Sequence, residues 1–291
     1  MGDIVAVTGA TGDVGGKTVE ALRAAGKTVR AIARRREQVE AFRARGIDAR
    51  QADLGDLPAL TAALEGVDQV FLVTAATQQQ REHGAVGVQA AQRAGVRALV
   101  HLSGGDAALG STIPWARAVA EIDVDVRASG LEWTILHPSG FMTNLVPSGP
   151  TIRRGFFPQT MGRGVIGWID SQDIARVAAR VLTDGVHVGA EPVLTGPELL
   201  DGRGVARALS EGLGRRVRYV HLPSRAFAGL LQATGMPAWQ AAGLRQQFGI
   251  VARHGLDGIA VHTDEVERIT GTPARSMADW ARASRVVLLR R

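Results

Sequence analysis

The sequence predicts an α/β fold: a doubly wound parallel sheet followed by a smaller, mainly helical C-terminal domain. Short apolar runs alternate with helical patterns through the first half of the chain, and the joints between them are short. This alternation is typical of parallel sheets with right-handed crossovers. A glycine-rich turn follows the first apolar run, and the periodic pattern fades after Pro138.

The first half predicts six strands, each from a short run rich in Val, Ile, Leu or Ala. These runs span residues 3–9, 28–34, 47–53, 68–75, 97–104 and 132–136. Helices fit between the strands, and several end near a glycine, which suits a helix C-terminus. These glycines are Gly26, Gly46, Gly66 and Gly95. The last of these helices starts near residue 113 and leads into the sixth strand.

Beyond Pro138 the pattern is less regular. Residues 138–165 are rich in Gly and Pro, and residues 168–182 then predict a helix that Asp170 can cap, with Asp173 three residues later. Residues 191–196 and 216–223 predict further strands around another helix, and the chain after residue 223 predicts a small cap of short helices.

These elements predict two domains. A core is expected at residues 1–150 and a smaller cap region at residues 151–291, with parts of 164–221 returning to the core sheet.

Composition limits the class of protein. The chain has 291 residues, of which 45% are hydrophobic and 21% charged, as in ordinary globular proteins. Its formal charge of +6 comes from dispersed arginines without interleaved aromatics, so we expect no nucleic-acid partner. Cysteine is absent, no ligand cluster has metal-site spacing, and no signal peptide or membrane span is evident. We expect a cytoplasmic protein without a metal; the oligomeric state stays open.

The stretch VTGATGDVGG, residues 7–16, predicts a phosphate-binding loop. Gly9, Gly12 and Gly15 follow a predicted strand and open a predicted helix. Glycines let the backbone turn tightly and let a pyrophosphate approach, and the helix N-terminus offers N–H groups and a favourable dipole. The alternative is a glycine-rich turn without a ligand.

The second strand indicates which dinucleotide binds. An NAD site usually has an acidic residue about 20 residues beyond the glycines, where it binds the ribose 2′-hydroxyl. Here the chain reads AIARRRE, with Arg34 at that distance. An arginine can bind a 2′-phosphate through charge-assisted hydrogen bonds, so we expect NADP(H). The alternative is that these arginines form a solvated loop.

Several motifs together resemble the NmrA-like family of atypical short-chain dehydrogenases/reductases, which includes quinone oxidoreductases. They are TGATGDVG, DLGD, LVHLSG, SGLEWTILHPSGFMTN and WIDSQDIA, in order over most of residues 1–200. The resemblance implies a Rossmann domain with a smaller C-terminal substrate domain. It also implies NADP(H) as cofactor and a small-molecule substrate, aromatic or quinone-like.

The resemblance also implies roles for individual residues. The pyrophosphate loop would be lined by Thr11, Gly12, Asp13 and Val14, and the 2′-phosphate would meet Arg34 and Arg35. The adenine would meet Asp53 and Leu54, and the ribose would pass Thr74, Ala75 and Ala76. The nicotinamide would be approached by Ser103, Pro138, Gly140 and Phe141. His137 departs from the pattern, because relatives often carry arginine there.

The proton relay of standard short-chain reductases is missing. They use a tyrosine as proton donor, with a lysine four residues later. Here the only tyrosine is Tyr219 and no lysine follows Lys27. Reduction of an ordinary ketone needs a proton as the alkoxide forms. A quinone gives a delocalised, weakly basic oxyanion that water can protonate. The sequence therefore favours a quinone or a similar conjugated acceptor.

Three residues are candidates for catalysis: Ser103, His137 and Asn144. Ser103 keeps the serine position of the standard short-chain reductases, or satisfies backbone at a strand end. His137 ends a strand and can donate a proton near neutral pH, or only orients its loop. Asn144 can hold a substrate carbonyl, or satisfies backbone.

Four apolar residues are candidates for the wall of an aromatic substrate pocket, although such residues are more often simple core. They are Trp115, Phe141, Met142 and Trp168. His101 is interpreted as structural. Asp123 and Arg127 are expected to pair at i,i+4 and receive no catalytic role.

Two functions remain. The first is an NADPH-dependent reductase that passes hydride to a conjugated acceptor held beneath the 222–291 cap. The second is a redox-sensing regulator that binds NADP(H) without turnover. The missing relay fits both, and it argues against an epimerase or isomerase.

Overall fold

A computed structural model describes residues 4–185, 187–233, 235–254 and 260–290. The chain forms two compact units. The first contains the chain up to His137 together with Ile174–Pro192, and the second contains Pro138–Asp173 and the chain from Val193 onward. This division differs from the predicted boundary at residue 150, because the first unit ends where the sixth strand ends.

The strands are β1 Ile4–Val7, β2 Thr28–Ala33, β3 Asp48–Gln51, β4 Gln69–Leu72, β5 Ala98–Leu102, β6 Glu132–Pro138, β7 Phe156–Gln159, β8 Val193–Leu194 and β9 Arg218–His221. The helices are α1 Asp13–Ala24, α2 Arg36–Ala44, α3 Leu57–Ala63, α4 Gln80–Arg93, α5 Pro114–Arg127, α6 Gly149–Arg153, α7 Ser171–Asp184, α8 Gly202–Leu213, α9 Ser224–Ala233, α10 Ala238–His254, α11 Glu265–Thr270, α12 Met277–Ala283 and α13 Arg285–Leu289. A 3-10 helix occupies Met142–Ser148.

The main sheet has seven strands in the order β3-β2-β1-β4-β5-β6-β8. Its pairs from β3 through β6 are parallel. The order reverses between β1 and β4, and such a reversal opens a crevice at the carboxyl ends of the strands. The predicted doubly wound α/β fold is therefore confirmed.

The first unit has its own apolar core between sheet and helices. Leu60 and Leu64 of the α3 region pack with Leu72 of β4 and Leu99 of β5, and all four are fully buried. Glycines allow α4 to approach closely: a Cβ at Gly87 would lie 2.5 Å from Leu72 Cδ1. The core holds the strand ends in fixed positions at one edge of the sheet.

The second unit has a separate core in which Phe157, Met161, Trp168 and Trp280 are at most 2% exposed. β7 and β9 form a separate two-stranded parallel sheet. Within residues 164–221, β8 joins the main sheet, whereas β9 pairs with β7 in the separate sheet. The partner β7 lies in the Gly- and Pro-rich segment, whose sequence FFPQ shows no strand alternation.

Among the described helices, none is long and apolar enough to cross a membrane. In the same part of the chain, no three His, Asp or Glu side chains are grouped to hold a metal ion.

Candidate cofactor and active site

The first unit brings most of the predicted cofactor-binding residues to one edge of the sheet. Parallel strands end at the same edge. The glycine loop therefore follows β1, Arg34 follows β2, Asp53 follows β3 and Thr74 follows β4. Sites for nucleotides lie at this carboxyl edge, at the point where the strand order reverses.

The glycine loop has the geometry of a phosphate cradle. Gly9 has a φ of 58°, in the left-handed region, and its carbonyl accepts from the Gly12 N–H at 2.8 Å. A Cβ at Gly15 would lie 2.3 Å from the Gly9 carbonyl oxygen, so only glycine fits there. α1 begins at Asp13, and no side chain caps it at Gly12. The first-turn N–H groups can therefore meet an anion, which fits a pyrophosphate.

Thr8, which the sequence reasoning did not single out, joins the two strands that flank the reversal. Its Oγ1 accepts from the Val73 N–H at 2.7 Å and donates to the Val73 carbonyl at 3.0 Å. Thr8 is only 1% exposed. Its position between a buried strand and the first loop glycine is the signal that could have identified it. These bonds fix the start of the loop beside β4.

The three arginines after β2 differ in their partners. Arg35 pairs with Glu37 at 3.1 Å and Arg36 with Glu40 at 2.8 Å. Within the described part of the chain, the guanidinium of Arg34 makes no ion pair; its carbonyl accepts from Gln51 Nε2 at 3.1 Å. Of the three arginines after β2, Arg34 is thus the one without an ion pair to a described residue, which fits a dianionic 2′-phosphate.

The other predicted contacts with adenosine and ribose lie beside it. Asp53 accepts from the Gly55 N–H at 2.9 Å, and this bond shapes the turn that also presents Leu54. Thr74 Oγ1 accepts from Gln80 Nε2 at 3.2 Å, while Ala75 and Ala76 are exposed. Gln80 is a further buried residue that the sequence reasoning missed.

Ser103 belongs to a buried network of three polar side chains. Its Oγ donates to Asp123 Oδ2 at 2.8 Å, and Asp123 Oδ1 lies 2.9 Å from His101 Nδ1. Ser103 is 7% exposed, Asp123 is 2% exposed and His101 is 0% exposed. The expected i,i+4 pair between Asp123 and Arg127 is therefore wrong, because the Asp123 carboxylate makes its hydrogen bonds to Ser103 and His101 inside the unit.

Arg127 binds Glu191 instead, with both carboxylate oxygens at 2.7 Å. This hydrogen bond from Arg127 is the main cause that lowers the pKa of Glu191, although partial burial opposes it. The same bond raises the pKa of Arg127. Glu191 therefore stays ionised at neutral pH.

His137 is held at both ring nitrogens. Nδ1 lies 3.0 Å from the Gly104 carbonyl, and Nε2 lies 3.2 Å from Glu191 Oε2. Both partners are acceptors, so both contacts are hydrogen bonds only when the ring carries two protons. The imidazole thus ties the end of β6 to the loop after β5 and to Glu191.

The remaining predicted site residues lie in the second unit, except Trp115, which is half-buried on α5 of the first. Phe141 forms a parallel bridge with Ile169, and the Met142 N–H donates to the Ile169 carbonyl at 2.9 Å. A Cβ at Gly140 would lie 2.9 Å from Ile166 Cγ2 and 3.3 Å from a Trp168 ring carbon. Gly140 therefore lets the loop pack directly on Trp168.

The predicted pocket residues of the second unit differ in exposure. Met142 and Trp168 are 1% and 2% exposed and belong to the core, whereas Phe141 is half-buried. Trp168 Nε1 is buried and has no hydrogen-bond partner within the described ranges of the chain. Pro138 is buried at the end of β6, and Asn144 is exposed on the 3-10 helix, where its N–H donates to the Phe141 carbonyl at 3.0 Å.

Comparisons with known proteins agree with this arrangement. The model of the NmrA-like family matches residues 1–272. The NAD(P)H azoreductase of Xenophilus azovorans is 35% identical over 96% of this chain and 97% of its own length. A crystal structure of the NADPH-dependent quinone oxidoreductase QOR2 of Escherichia coli with NADPH has a TM-score of 0.85 at 29% identity, covering 95% of this chain and 98% of QOR2.

The transcriptional regulator NmrA in complex with NADP shares the fold, with a TM-score of 0.78 at 21% identity over 97% of this chain and 94% of its own. At that identity the likeness concerns the fold alone. The sequence match over nearly the whole chain and the cradle after β1 together lead to one conclusion: the chain belongs to the NmrA-like family.

Proposed function

We propose that this NAD(P)H-dependent oxidoreductase reduces quinones and similar conjugated, electron-poor acceptors. Its cofactor is NADP(H), which supplies a hydride when bound. The glycine loop would hold the pyrophosphate, Arg34 the 2′-phosphate, and the edge formed by β4, β5 and β6 would face the nicotinamide half. This assignment follows the reversal of strand order between β1 and β4.

The observation that supports this acceptor class concerns the candidate residues at the ends of β5 and β6. Neither the hydroxyl of Ser103 nor the imidazole of His137 has a proton free to deliver to a substrate. The Ser103 proton is directed to Asp123, and each ring nitrogen of His137 faces an acceptor, the Gly104 carbonyl or the Glu191 carboxylate. The third candidate, Asn144, carries a neutral amide, which is not an acid. A simple ketone would find no general acid among these three described residues, whereas a quinone yields an oxyanion that water protonates.

The decisive comparison pairs a quinone with a ketone of similar shape, 1,4-naphthoquinone against 1-tetralone. We expect anaerobic NADPH oxidation with the quinone to be at least about 100-fold faster, since general acid catalysis contributes about that factor or more when it is present. An azo dye serves as a second conjugated acceptor. Equal rates with the ketone would contradict the argument from protons.

The competing function is a cofactor-sensing regulator, and the same assay separates it. Such a protein would bind NADPH, seen as a change in nicotinamide fluorescence. It would not oxidise NADPH with any acceptor in the panel. It would also bind NADP⁺ and NADPH with different affinities. Binding without turnover, together with different affinities for the two cofactors, would support the regulator and contradict the proposed reductase.

Replacing Arg34 with alanine should weaken NADPH binding by about 10- to 100-fold and leave NADH binding nearly unchanged. A hydrogen bond to a charged group contributes about 1.5–3 kcal/mol, and each 1.4 kcal/mol is tenfold in affinity. Calorimetric titration with both cofactors measures the two effects.

Arg36→Ala is the matched control, because Arg36 lies on the same segment but pairs with Glu40. We expect it to keep most of the NADPH preference. If the two variants lose the preference equally, the segment contributes only general positive charge; if neither loses it, the 2′-phosphate is held elsewhere.

A further inference from the structure

The buried network behind Ser103 is more elaborate than a strand-end hydroxyl needs. His101 lies on β5 and Ser103 follows the end of this strand two residues later, and Asp123 of α5 meets both side chains. A fully buried histidine and a buried carboxylate together are costly unless they are paired. Asp123 and His101 lie directly behind Ser103, which is at the carboxyl edge of the sheet.

The protons in this network can be placed. Among the residues that the structure describes, His101 Nε2 is buried without a hydrogen-bond partner, so a proton there would have no acceptor. The ring therefore carries its proton on Nδ1 and donates it to Asp123 Oδ1. The Ser103 hydroxyl donates to the second oxygen, Oδ2. Asp123 thus accepts both protons, and Arg127 on the same helix contributes a favourable charge.

This arrangement fixes the polarity of Ser103. A serine hydroxyl has one proton and two lone pairs. With the proton directed inward to Asp123, the oxygen can only accept hydrogen bonds from a ligand at the edge. Ser103 follows β5, on the opposite side of the β1–β4 reversal from Arg34. In a dinucleotide bound across the reversal, that side faces the nicotinamide half.

We infer that Ser103 accepts a hydrogen bond from the carboxamide N–H₂ of the nicotinamide, and that Asp123 and His101 are positioning residues that keep its hydroxyl turned away. The inference rests on the proposed cofactor placement. It assigns Ser103 to holding the nicotinamide ring, and it excludes Ser103 as the proton source for the acceptor. A ribose hydroxyl is the other donor that could meet the same oxygen.

The test compares NADP⁺ with its 3-acetylpyridine analogue, in which a methyl ketone replaces the carboxamide and removes the N–H donor from the pyridine ring's substituent. We expect the wild-type protein to bind NADP⁺ roughly three- to tenfold better than the analogue, the range of one net hydrogen bond. In Ser103→Ala, the two ligands should bind equally. A ribose contact would instead lower both affinities and leave the ratio unchanged.

Asp123→Asn tests the positioning role. The amide oxygen must face His101 Nδ1–H, so the amide N–H₂ faces Ser103 and occupies its lone pair. The Ser103 proton then turns toward the ligand. We expect this variant to lose the preference for NADP⁺ although Ser103 is still present. A merely structural role for Asp123 would lower the melting temperature without changing the ratio.

Thr134→Val is the matched control. Thr134 is a buried hydroxyl on the adjacent strand β6, 4% exposed, and it donates to the His187 carbonyl. It should keep the wild-type ratio. An unchanged ratio in Ser103→Ala would overturn the inference. Because the readout is binding, this result is independent of whether the quinone panel shows turnover.

Discussion

Gly15→Ala should raise the dissociation constant for NADPH by at least about tenfold and lower the free energy of unfolding by about 1–3 kcal/mol. The added Cβ would lie 2.3 Å from the Gly9 carbonyl oxygen and 2.8 Å from its carbon. Both atoms are backbone, so no side-chain rotation relieves the contact. Either the loop opens or α1 moves away from it, and both changes spread the N–H groups that face the phosphates.

The control for this substitution is Gly229→Ala. Gly229 lies within α9, where an added Cβ would meet no described atom within 4 Å apart from the adjacent backbone of its own helix. Alanine is the better helix former by roughly 1 kcal/mol, so this variant should be slightly more stable and should bind NADPH normally. Calorimetric titration and urea unfolding measure both variants. Wild-type affinity in Gly15→Ala would show that the loop does not hold the pyrophosphate.

Trp280→Ala should destabilise the second unit by about 3–5 kcal/mol, the usual cost of removing a buried tryptophan. Trp280 is 2% exposed in α12, and this helix packs closely on α8. A Cβ at Gly212 of α8 would lie 2.2 Å from the Ala278 carbonyl oxygen and 2.8 Å from Ala281 Cβ. Because α8 and α12 already touch at Gly212, they cannot move closer to fill the space that the indole leaves. A large cavity would therefore remain after truncation.

The measurement is urea unfolding followed by far-UV circular dichroism, because removal of a tryptophan alters the fluorescence signal itself. Val286→Ala is the control: Val286 is 78% exposed on α13, and its truncation should change the unfolding free energy by no more than about 0.5 kcal/mol. A loss below about 1 kcal/mol for Trp280→Ala would contradict the packing described for α8 and α12.

The fold of the first unit could be predicted because local signals and the global topology agree. Most of its strands are apolar runs, although β3 is the polar stretch DARQ, and glycines such as Gly26 and Gly95 have positive φ just beyond the helices they end. The predicted cap by Asp170 is confirmed, since its Oδ1 accepts from the Gln172 N–H at 3.0 Å. In the second unit, β7 pairs with a strand about sixty residues later, and no local pattern in FFPQ indicates it.

The candidate site was predictable to the extent that its residues are fixed by position along the chain. Strand ends and the glycine spacing locate the loop, Arg34 and Ser103. The partners of those residues are not local. Asp123 and Arg127 have the spacing of a surface ion pair, yet Asp123 faces the buried side chains of His101 and Ser103, and Arg127 meets a glutamate 64 residues later. Alternating polar residues His101 and Ser103 on a buried strand were the available signal.

The chain leaves the first unit at His137 and returns to it at Ile174. This path determines when, during synthesis on the ribosome, the edge of the sheet can be covered. The backbone of Ile135 and His137 donates to the carbonyls of Ala190 and Pro192, and Arg127 finds its carboxylate in Glu191. Until the ribosome has released residue 192, β6 is an open sheet edge, a feature that promotes aggregation of nascent chains. Neither unit is therefore a contiguous fragment that can be expressed alone by truncation.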